Sequence, residues 1–596
     1  MKTAIIGHRG VGKSALAKRL KIYFENTDRK VLVFDLDDEI SIKYRKSIKD
    51  LFTDIGEPAF RNIERECFQQ LNADFSHSNY SDLFIIAGAG FLPTQDFGFR
   101  FLWIQRPTDS FGRIFPDRPR LDSSQSSLDE YHERFAERET RFFDLQNSTL
   151  ILTEGFDFAN PAEEAFFKST IRNLGGAFTI YAHHLLQLEE LLSWGVEYFE
   201  LRDDLLTSPQ IEDALKKISH HQIILSFRDP NQKSTSIELV KKDSLKFDWP
   251  VAYPACDWAS PFIISAHNEE LTVAIEQLKK ASELHPNSLL KMAVEVEEFE
   301  GLKLGHKWQQ SHPNTRVFLP ISKEAKWKWY RLWTQKSQRL QFFKIDRYSL
   351  GDQPSLLERL RQNAFTAHAK FAAVLGNPIA HSRSPGQHFD FFKAYDMPFY
   401  AIQISEHEFE TALDFLKNRG LVAAAITSPL KNAAGSLLGQ SKSAINTLFI
   451  VNDLESRFTN TDQEALLELK KLLRHEDPSD IVIWGGGGTL KSLQNIFKSA
   501  VEYSSRSGKP RGANTANEPK TIVWAVGRKH FDQNGKFPDS HWPINLVIDL
   551  NYSEDSPGRD CALRYGCAYV SGLEMFKAQA LAQQKFWKNL LPKSNP

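Results

Sequence analysis

Short apolar runs alternate with amphipathic stretches along almost the whole chain. "TAIIG" at 3–7 runs into the helix-patterned "KSALAKRLKIYF". After about residue 176 come "FTIYA" (178), "VEYFEL" (196), "QIILSF" (222), "FDWPV" (247), "FIISA" (262), "LLKMAV" (289), "RVFLP" (316) and "QFFKI" (341), each followed by a helical or loop stretch. A third series opens near 371 and contains "IVIWGGGGTL" at 481–490. Buried runs of four to six residues between helical stretches predict parallel sheets, an α/β protein throughout.

A chain of 596 residues exceeds what one core can organise, so about three or four domains are expected. The formal net charge of -1 gives no electrostatic reason for a nucleic-acid or anionic-membrane partner. The cysteines, Cys67, Cys256, Cys561 and Cys567, form no C-x-x-C pair, which predicts a reduced, cytoplasmic chain. No signal peptide is expected before "TAIIG", and no apolar run of about 18 residues suggests a membrane span. The stretch "SRSGKPRGANTANEPK" at 505–520 reads as a mobile loop.

Gly7 to Ser14 match G-x-x-x-x-G-K-S between a strand and a helix. Gly7, Gly10 and Gly12 let backbone N–H groups close around phosphates, Lys13 reaches the β/γ-phosphates, and the Ser14 hydroxyl ligates Mg²⁺. Beyond it stand "FDLDDEI" (34–40), "GEPAFRNIE" (56–64), "AGAGF" (87–91), "DRPRL" (117–121) and "YHERF" (131–135). In that order the segment resembles shikimate kinase. The resemblance implies ATP as phosphoryl donor, Asp37 on the shikimate hydroxyls, Arg61 and Arg134 on its carboxylate, and Gly88 and Gly90 lining the site. It also implies Asp35 near Mg²⁺ and Arg118 on a closing lid. Ala89 departs from the family, which usually has a third glycine there.

The run "LLKMAVEV", Leu289 to Val296, has six apolar residues in eight, yet holds Lys291. A lysine in an apolar setting has its ammonium disfavoured, and a neutral amine attacks carbonyls to form imines. Glu200, Arg202, Arg228 and His267 also stand at the ends of predicted strands. The eight alternating runs predict a (β/α)₈ barrel with its chemistry at the C-terminal strand ends. "FELRDDL", "SFR", "IISAHN", "KMA" and "YSLGDQPS" resemble type I 3-dehydroquinate dehydratase. This implies that Lys291 forms a Schiff base with dehydroquinate and that His267 moves the adjacent proton. Arg228, Arg331, Ser349 and Gln353 would bind the carboxylate and ring oxygens, with Glu200 and Arg202 beneath them. The family usually has a glutamate four residues beyond the arginine of "SFR"; here Gln232 keeps hydrogen bonding but loses the charge that supports an imidazolium.

From 371, "GNPIAHSRSPGQH", "ITSPLK", "SAINTL", "TNTDQ" and the C-terminal "GLEMFKAQALAQQKFW" resemble shikimate dehydrogenase. This implies that Ser382, Ser384, Thr427, Asn446 and Gln579 hold shikimate, with Lys431 and Asp462 as the acid/base pair. Gly485, Gly487 and Gly488 form a dinucleotide turn, and Arg506 in "SSRSGK" suits the 2′-phosphate of NADP(H) where an acidic residue would hold a free ribose. The departures are Ala425, for a usual asparagine, and Gln463, for a glycine.

The three resemblances predict a P-loop kinase-like parallel sheet (1–170), a (β/α)₈ barrel (176–362), and a two-lobed dehydrogenase (368–596). The last has a substrate lobe at about 368–475, completed by C-terminal helices, and a Rossmann lobe at about 478–572. They form a chemical series from dehydroquinate through dehydroshikimate and shikimate to shikimate 3-phosphate. The whole is similar to the last three domains of the fungal pentafunctional arom polypeptide. A trifunctional enzyme is expected, using ATP, Mg²⁺ and NADP(H), with these small molecules as partners and a homodimer as the family expectation for the barrel. The alternative is a ligand-sensing regulator similar to the fungal repressor of quinate utilisation.

Overall fold

The computed structural model describes residues 2–25, 30–91, 98–106, 109, 127–146, 148–151, 175–267, 269–346, 351–362, 365, 369–379, 382–438, 444–452, 455–471, 480–486, 490–551 and 556–592. Four sheets follow one another along the chain.

The first sheet contains β1 (Lys2–Ile6), β2 (Val31–Asp35), β3 (Asp82–Ile86), β4 (Arg100–Gln105) and β5 (Ser148–Ile151). They lie all parallel in the order β2-β3-β1-β4-β5. Successive residues point to opposite faces, and both faces are buried. Ala4, Ile6, Leu83, Ile85, Phe101 and Trp103 enter one core cluster, while Ile5, Phe84, Ile86, Leu102 and Ile104 enter another with the helix residues Leu16, Leu20 and Phe24. Two covered faces explain why these strands read as continuous apolar runs. The turn after β1 leads into the helix Lys13–Glu25.

The second sheet contains β6 (Ala177–Ile180), β7 (Tyr198–Arg202), β8 (Ile223–Ser226), β9 (Lys246–Pro250), β10 (Ile263–Ala266), β11 (Leu289–Met292), β12 (Arg316–Phe318) and β13 (Phe342–Phe343). These are the eight runs expected as strands. They pair in parallel in chain order, with β13 beside β6. Ala177, Ile224, Ile263, Leu289, Val317 and Phe342, from β6, β8, β10, β11, β12 and β13, meet in one apolar cluster. The sheet therefore curls around an interior, and Lys291 on β11 lies inside it, 2% exposed and with paired strands on both sides.

The third sheet contains β14 (Phe371–Gly376), β15 (Phe399–Gln403), β16 (Leu421–Ile426), β17 (Thr447–Ile450) and β18 (Ser456–Thr459). Its order is β15-β14-β16-β17-β18, with antiparallel pairing only at β17 and β18. The fourth contains β19 (Ile481–Gly485), β20 (Val501–Tyr503), β21 (Thr521–Ala525), β22 (Leu546–Asp549) and β23 (Ala568–Val570), all parallel in the order β20-β19-β21-β22-β23. The helix Leu573–Lys588 then returns to the third sheet, where Trp587 is fully buried and donates its indole N–H to Leu448 O at 3.0 Å.

The curled sheet and the third sheet share a core. Met292, Phe299, Trp327 and Trp329 belong to the same cluster as Phe371, Tyr400, Phe415 and Leu448. Polar ties reinforce the joint. Glu408 accepts from Lys326 Nζ at 2.8–2.9 Å and from the Phe299 backbone N–H at 2.9 Å, at the start of the helix Phe299–Gln310. A carboxylate at a helix N-terminus is favoured by the unpaired N–H groups there. Gln362 Nε2 donates to the Tyr400 hydroxyl at 2.6 Å, and Gln403 Nε2 to Glu324 at 2.7 Å.

One expectation needs correcting. The first part of the stretch 505–520 is paired: up to Arg511 it folds back on β20, with a Tyr503–Pro510 bridge and bonds from Ser504 N to Lys509 O and Arg511 N to Glu502 O, while 512–520 run on without regular structure. Ala516 N also donates to the Tyr503 hydroxyl. These bonds satisfy backbone groups that the composition gave no sign of pairing.

Candidate active sites

Gly7, Gly10 and Gly12 all adopt positive φ. A Cβ on Gly7 would lie 2.6 Å from Ile104 O, so only glycine lets the turn pass β4. Lys13 is buried, with Nζ on Gly7 O at 2.7 Å and His8 O at 3.0 Å, inside the turn that would receive phosphates. Asp35 caps the following helix by accepting from Asp37 N through Oδ1; its Oδ2 is buried and accepts no hydrogen bond among the described residues. That orphaned carboxylate oxygen fits a hard divalent cation such as Mg²⁺.

Beside the turn, Arg9, Asp37, Phe60, Arg61, Glu64 and Arg138 line a cavity of about 80 Å³. Gly88 and Gly90 form its floor by allowing side chains against their backbone. A Cβ on Gly88 would meet Glu64 Oε1 at 2.5 Å, and one on Gly90 would meet Arg61 at 2.1 Å. Ala89 contributes its methyl to the lining. The second guanidinium here is Arg138. Arg134, expected in that role, is partly buried and pairs with Glu137 at 3.0 Å along the helix Ser127–Leu145. One helical turn separates the two arginines, and only the more C-terminal one reaches the cavity. Arg118 lies outside the described residues.

Inside the curled sheet, Thr179, Glu200, Arg202, Arg228, His267, Lys291, Arg331 and Gln353 line one cavity of about 60 Å³. This brings together the expected residues apart from Ser349, which lies outside the described residues. Lys291 is ion-paired to Asp248 and stands 3.5 Å from Glu200 Oε1, correcting the expectation of a merely apolar setting. Asp248 also takes Arg228 Nη2 at 2.6 Å, and Glu200 accepts from Thr179 and Ser226 at 2.7 Å each. Burial would raise the Asp248 carboxyl, but the charges of Arg228 and Lys291 outweigh it and hold the group far below the usual carboxylate range. His267 is pushed well below its ordinary value by burial and by those same two cations, so its imidazole is neutral and competent as a base. Its Nε2 and Asp248 Oδ1 are buried and unpaired among the described residues. Arg331 is pushed down to about 10 by burial, with its Nε and Nη2 on Pro320 O and Leu319 O.

Gln232 does not face this cavity. Its Nε2 donates to Asp203 O at 2.7 Å, and its backbone opens the helix Lys233–Asp243. Asp248 is the residue that the sequence reading missed; a lone aspartate in "FDWPV" carries no signal of its partners.

His183, His184 and Asp346 cluster beyond the ends of β6 and β13, with ligand atoms within 4.8 Å of one another. The hydrogen bonding opposes a metal there. Tyr181 N–H donates to His184 Nδ1 at 3.1 Å, which leaves the proton on Nε2, and Nε2 donates to Asp346 Oδ2 at 2.6 Å. The trio is a clasp joining the first and last strands of the curled sheet.

In the third unit Lys431 Nζ meets Asp462 Oδ2 at 2.5 Å. Asp462 opens the helix Asp462–Lys471, and its Oδ1 accepts from Asn446 Nδ2 at 2.8 Å and Gln579 Nε2 at 2.5 Å. Gln583 on the returning helix donates to Asn446 O at 3.0 Å. Four residues expected in one site, Lys431, Asn446, Asp462 and Gln579, thus converge. Ser384 begins the helix Ser384–Lys393, with Ser382 Oγ accepting from its N–H at 3.3 Å. The Thr427 methyl sits where a Cβ on Gly376 would be, 2.3 Å away.

After β19, Gly485 and Gly486 have φ of 93° and 118°. A Cβ on Gly486 would collide with Leu490 at 2.6 Å, so glycine is needed at 486 where the chain leaves β19 towards the helix Leu490–Ile496. Backbone N–H groups at a helix start after glycines suit a dinucleotide phosphate. Gly487 and Gly488 lie outside the described residues. Arg506, expected near the cofactor, is exposed in the turn of the folded-back hairpin; Arg511, on its return arm, reaches Gly485 O at 3.4 Å. The hairpin's pairing brings Arg511 beside Gly485.

Two family models match the chain. Shikimate kinase matches residues 9–87, and the shikimate dehydrogenase substrate binding domain matches residues 374–452. A shikimate dehydrogenase (NADP(+)) of Prochlorococcus marinus (strain MIT 9515) is 26% identical over 268 residues, covering 38% of this chain and 93% of its own length. That of Histophilus somni (strain 2336) is 29% identical over 262 residues, covering 38% and 95%. The solved shikimate dehydrogenase of Aquifex aeolicus shares 20% identity at a TM-score of 0.32, over 39% of this chain and 96% of its own. Residues 9–87 are thus similar to shikimate kinase, and residues 374–452 to the shikimate dehydrogenase substrate binding domain. Among the described residues, no helix is long and apolar enough to cross a membrane.

Proposed function

We propose that the chain is a trifunctional enzyme that dehydrates 3-dehydroquinate, reduces the resulting 3-dehydroshikimate, and phosphorylates shikimate. The observation that carries this reading is the cavity beside the phosphate turn, where Arg61, Arg138 and Asp37 converge on one small polar space. Two guanidinium groups suit a carboxylate, and a carboxylate suits ring hydroxyls. With the matching family segments, ATP and Mg²⁺ are the cofactors of the first site and NADP(H) that of the third.

In the first site, bound ATP supplies the phosphoryl group. Asp37 orients the acceptor hydroxyl, Arg61 and Arg138 fix the ring through its carboxylate, and Lys13 balances charge on the phosphates. Asp35 and Ser14 are the residues that would hold Mg²⁺.

In the second site, Lys291 gives up its ammonium proton to solvent, Asp248 staying ionised beside it, and its amine attacks the ketone carbon to form a C–N bond. Loss of that oxygen as water leaves an imine. His267 then takes the adjacent proton, and the ring hydroxyl leaves with a proton as water; hydrolysis of the imine frees Lys291. Asp248, not Gln232, is the carboxylate close to this chemistry.

In the third site, NADP(H) would supply the hydride chemistry at the ring carbon when bound. Lys431 and Asp462 move the proton of the oxygen that is a hydroxyl in shikimate and a ketone in dehydroshikimate. Asn446 and Gln579 hold Asp462 in place for this role. Arg506 and Arg511 are the residues that would offer charge to the 2′-phosphate of NADP(H).

The regulatory alternative is not favoured. Sensing a ligand requires neither the Lys431–Asp462 pair nor the buried Lys291–Asp248 pair, and both are in place. The test is NADPH oxidation by the purified chain, with 3-dehydroquinate in one cuvette and 3-dehydroshikimate in another, followed by shikimate-dependent ADP release from ATP. Oxidation in both cuvettes together with ADP release is expected. Oxidation with dehydroshikimate alone would remove the dehydratase from the reading, and silence throughout would return the sensor.

A further inference from the structure

We infer that His8 and Glu139 tie the phosphate turn to the acceptor cavity, so that nucleotide binding sets the position of Arg138 on the acceptor carboxylate. This rests on the kinase reading and concerns how its two halves communicate.

His8 is the second residue of G-x-x-x-x-G-K-S, yet its side chain is buried, 2% exposed, against another element. Its Nε2 lies 2.7 Å from Glu139 Oε2 on the helix Ser127–Leu145. The ring stacks on Phe135 at 4.4 Å and meets Phe142 edge-on at 4.9 Å, so both hydrogen bonding and packing fix it to that helix. The neighbours of this pair point elsewhere. Arg9, next to His8, and Arg138, next to Glu139, both line the acceptor cavity. Each element therefore contributes one residue to the tie and one to the site.

A second strut joins the same two elements. Arg106 Nε donates to Val11 O at 2.8 Å, Arg106 N donates to Asp109 Oδ2 at 2.7 Å, and the Tyr131 hydroxyl donates to Asp109 O at 3.0 Å. The helix is thus held to the turn at Tyr131 and at Glu139, two helical turns apart. Arg138 sits beside the second attachment, where a shift of the turn is carried directly to its guanidinium. Burial, with Arg61 and Arg134 nearby, works against the Arg138 charge and holds its pKa below the usual value. Its place in the cavity is therefore unfavourable until an anionic acceptor arrives. A turn stiffened by phosphates would keep Arg138 at that place in advance, and coupling of this kind is reciprocal between the two ligands.

The test is the full chain's steady-state ADP formation, with shikimate titrated at subsaturating and saturating Mg·ATP. In the parent protein the KM for shikimate is expected to fall by about fivefold or more as ATP saturates, within the usual range of coupling between sites. In His8→Ala that ratio is expected to collapse to about one, with kcat falling less than the change in KM at saturating ATP. His8→Gln, whose amide can still reach Glu139, is expected to restore part of the ratio, which a general loss of folding would not do. An unchanged ratio in His8→Ala, or a parent protein with no such ratio, overturns the tie. A parent protein that forms no ADP with shikimate overturns the kinase reading and the tie with it.

Discussion

Glu64 and Arg61 form a 2.5 Å ion pair inside the acceptor cavity, with Glu64 only 1% exposed. Burial pushes the Glu64 carboxyl up to about 7 against the opposing pull of Arg61, with Asp37 and Glu57 adding to the rise. Below that pH Glu64 is protonated and Arg61 keeps only the half-exposed Glu57 as a charged partner, which eases its engagement of an acceptor carboxylate; above it, the ionised Glu64 competes. The KM for shikimate is expected to rise several-fold from pH 6 to pH 8.5, and Glu64→Gln is expected to flatten that profile. The folded chain also holds this proton where the unfolded chain has released it, so stability falls as pH rises from about 4.5 through 7. Melting curves of the parent and Glu64→Gln should therefore diverge across that window, with the variant the less sensitive.

Arg138 and Arg134 separate cleanly by mutation. Arg138→Ala removes a charge-assisted contact worth about 1.5–3 kcal/mol, an expected rise in the KM for shikimate of roughly 10- to 150-fold. Arg134→Ala breaks only the partly exposed pair with Glu137 and should change that KM by less than about threefold. Equal effects would return Arg134 to the site.

Lys291 offers a covalent readout. Borohydride added with 3-dehydroquinate is expected to leave a reduced adduct on Lys291, visible by mass spectrometry and absent in Lys291→Met. Asp248→Asn should slow adduct formation by about tenfold or more. It should also destabilise the chain by about 3–5 kcal/mol, because Arg228 and Lys291 lose their shared buried partner. Gln232→Ala, which leaves that pair untouched, is expected to retain most of the adduct.

Lys431→Ala should lower kcat for NADP-dependent shikimate oxidation by about 100-fold or more while leaving the KM for NADP nearly unchanged, since proton transfer contributes about 10²–10⁴. A change confined to the KM for NADP would place Lys431 with the cofactor instead.

Glu408 tests the joint. Glu408→Ala strands Lys326, which is about nine-tenths buried, and should cost about 3–5 kcal/mol. Because the core is continuous from Met292 to Leu448, dehydratase and dehydrogenase activities should be lost together on heating, at a lowered temperature in the variant. Separate losses would show the joint to be energetically minor.

What the sequence determined by itself was local. Continuous apolar runs between helical stretches marked the strands, and glycine spacing marked the phosphate and dinucleotide turns. Lysine and histidine in apolar runs, together with the dispersed shikimate-enzyme motifs, pointed to Lys291, His267, Lys431 and Asp462. Tertiary structure decided which of two similar residues reaches a site. Arg138 displaces Arg134 because the placement of a helix against the sheet fixes which turn faces the cavity. Arg511 reaches Gly485 because a hairpin reverses the chain after Arg506. Asp248 becomes the partner of Lys291 only when β7, β9 and β11 are wrapped around one interior. Local pattern follows from the period of the backbone; which side chains meet across tens or hundreds of residues follows from how the elements pack.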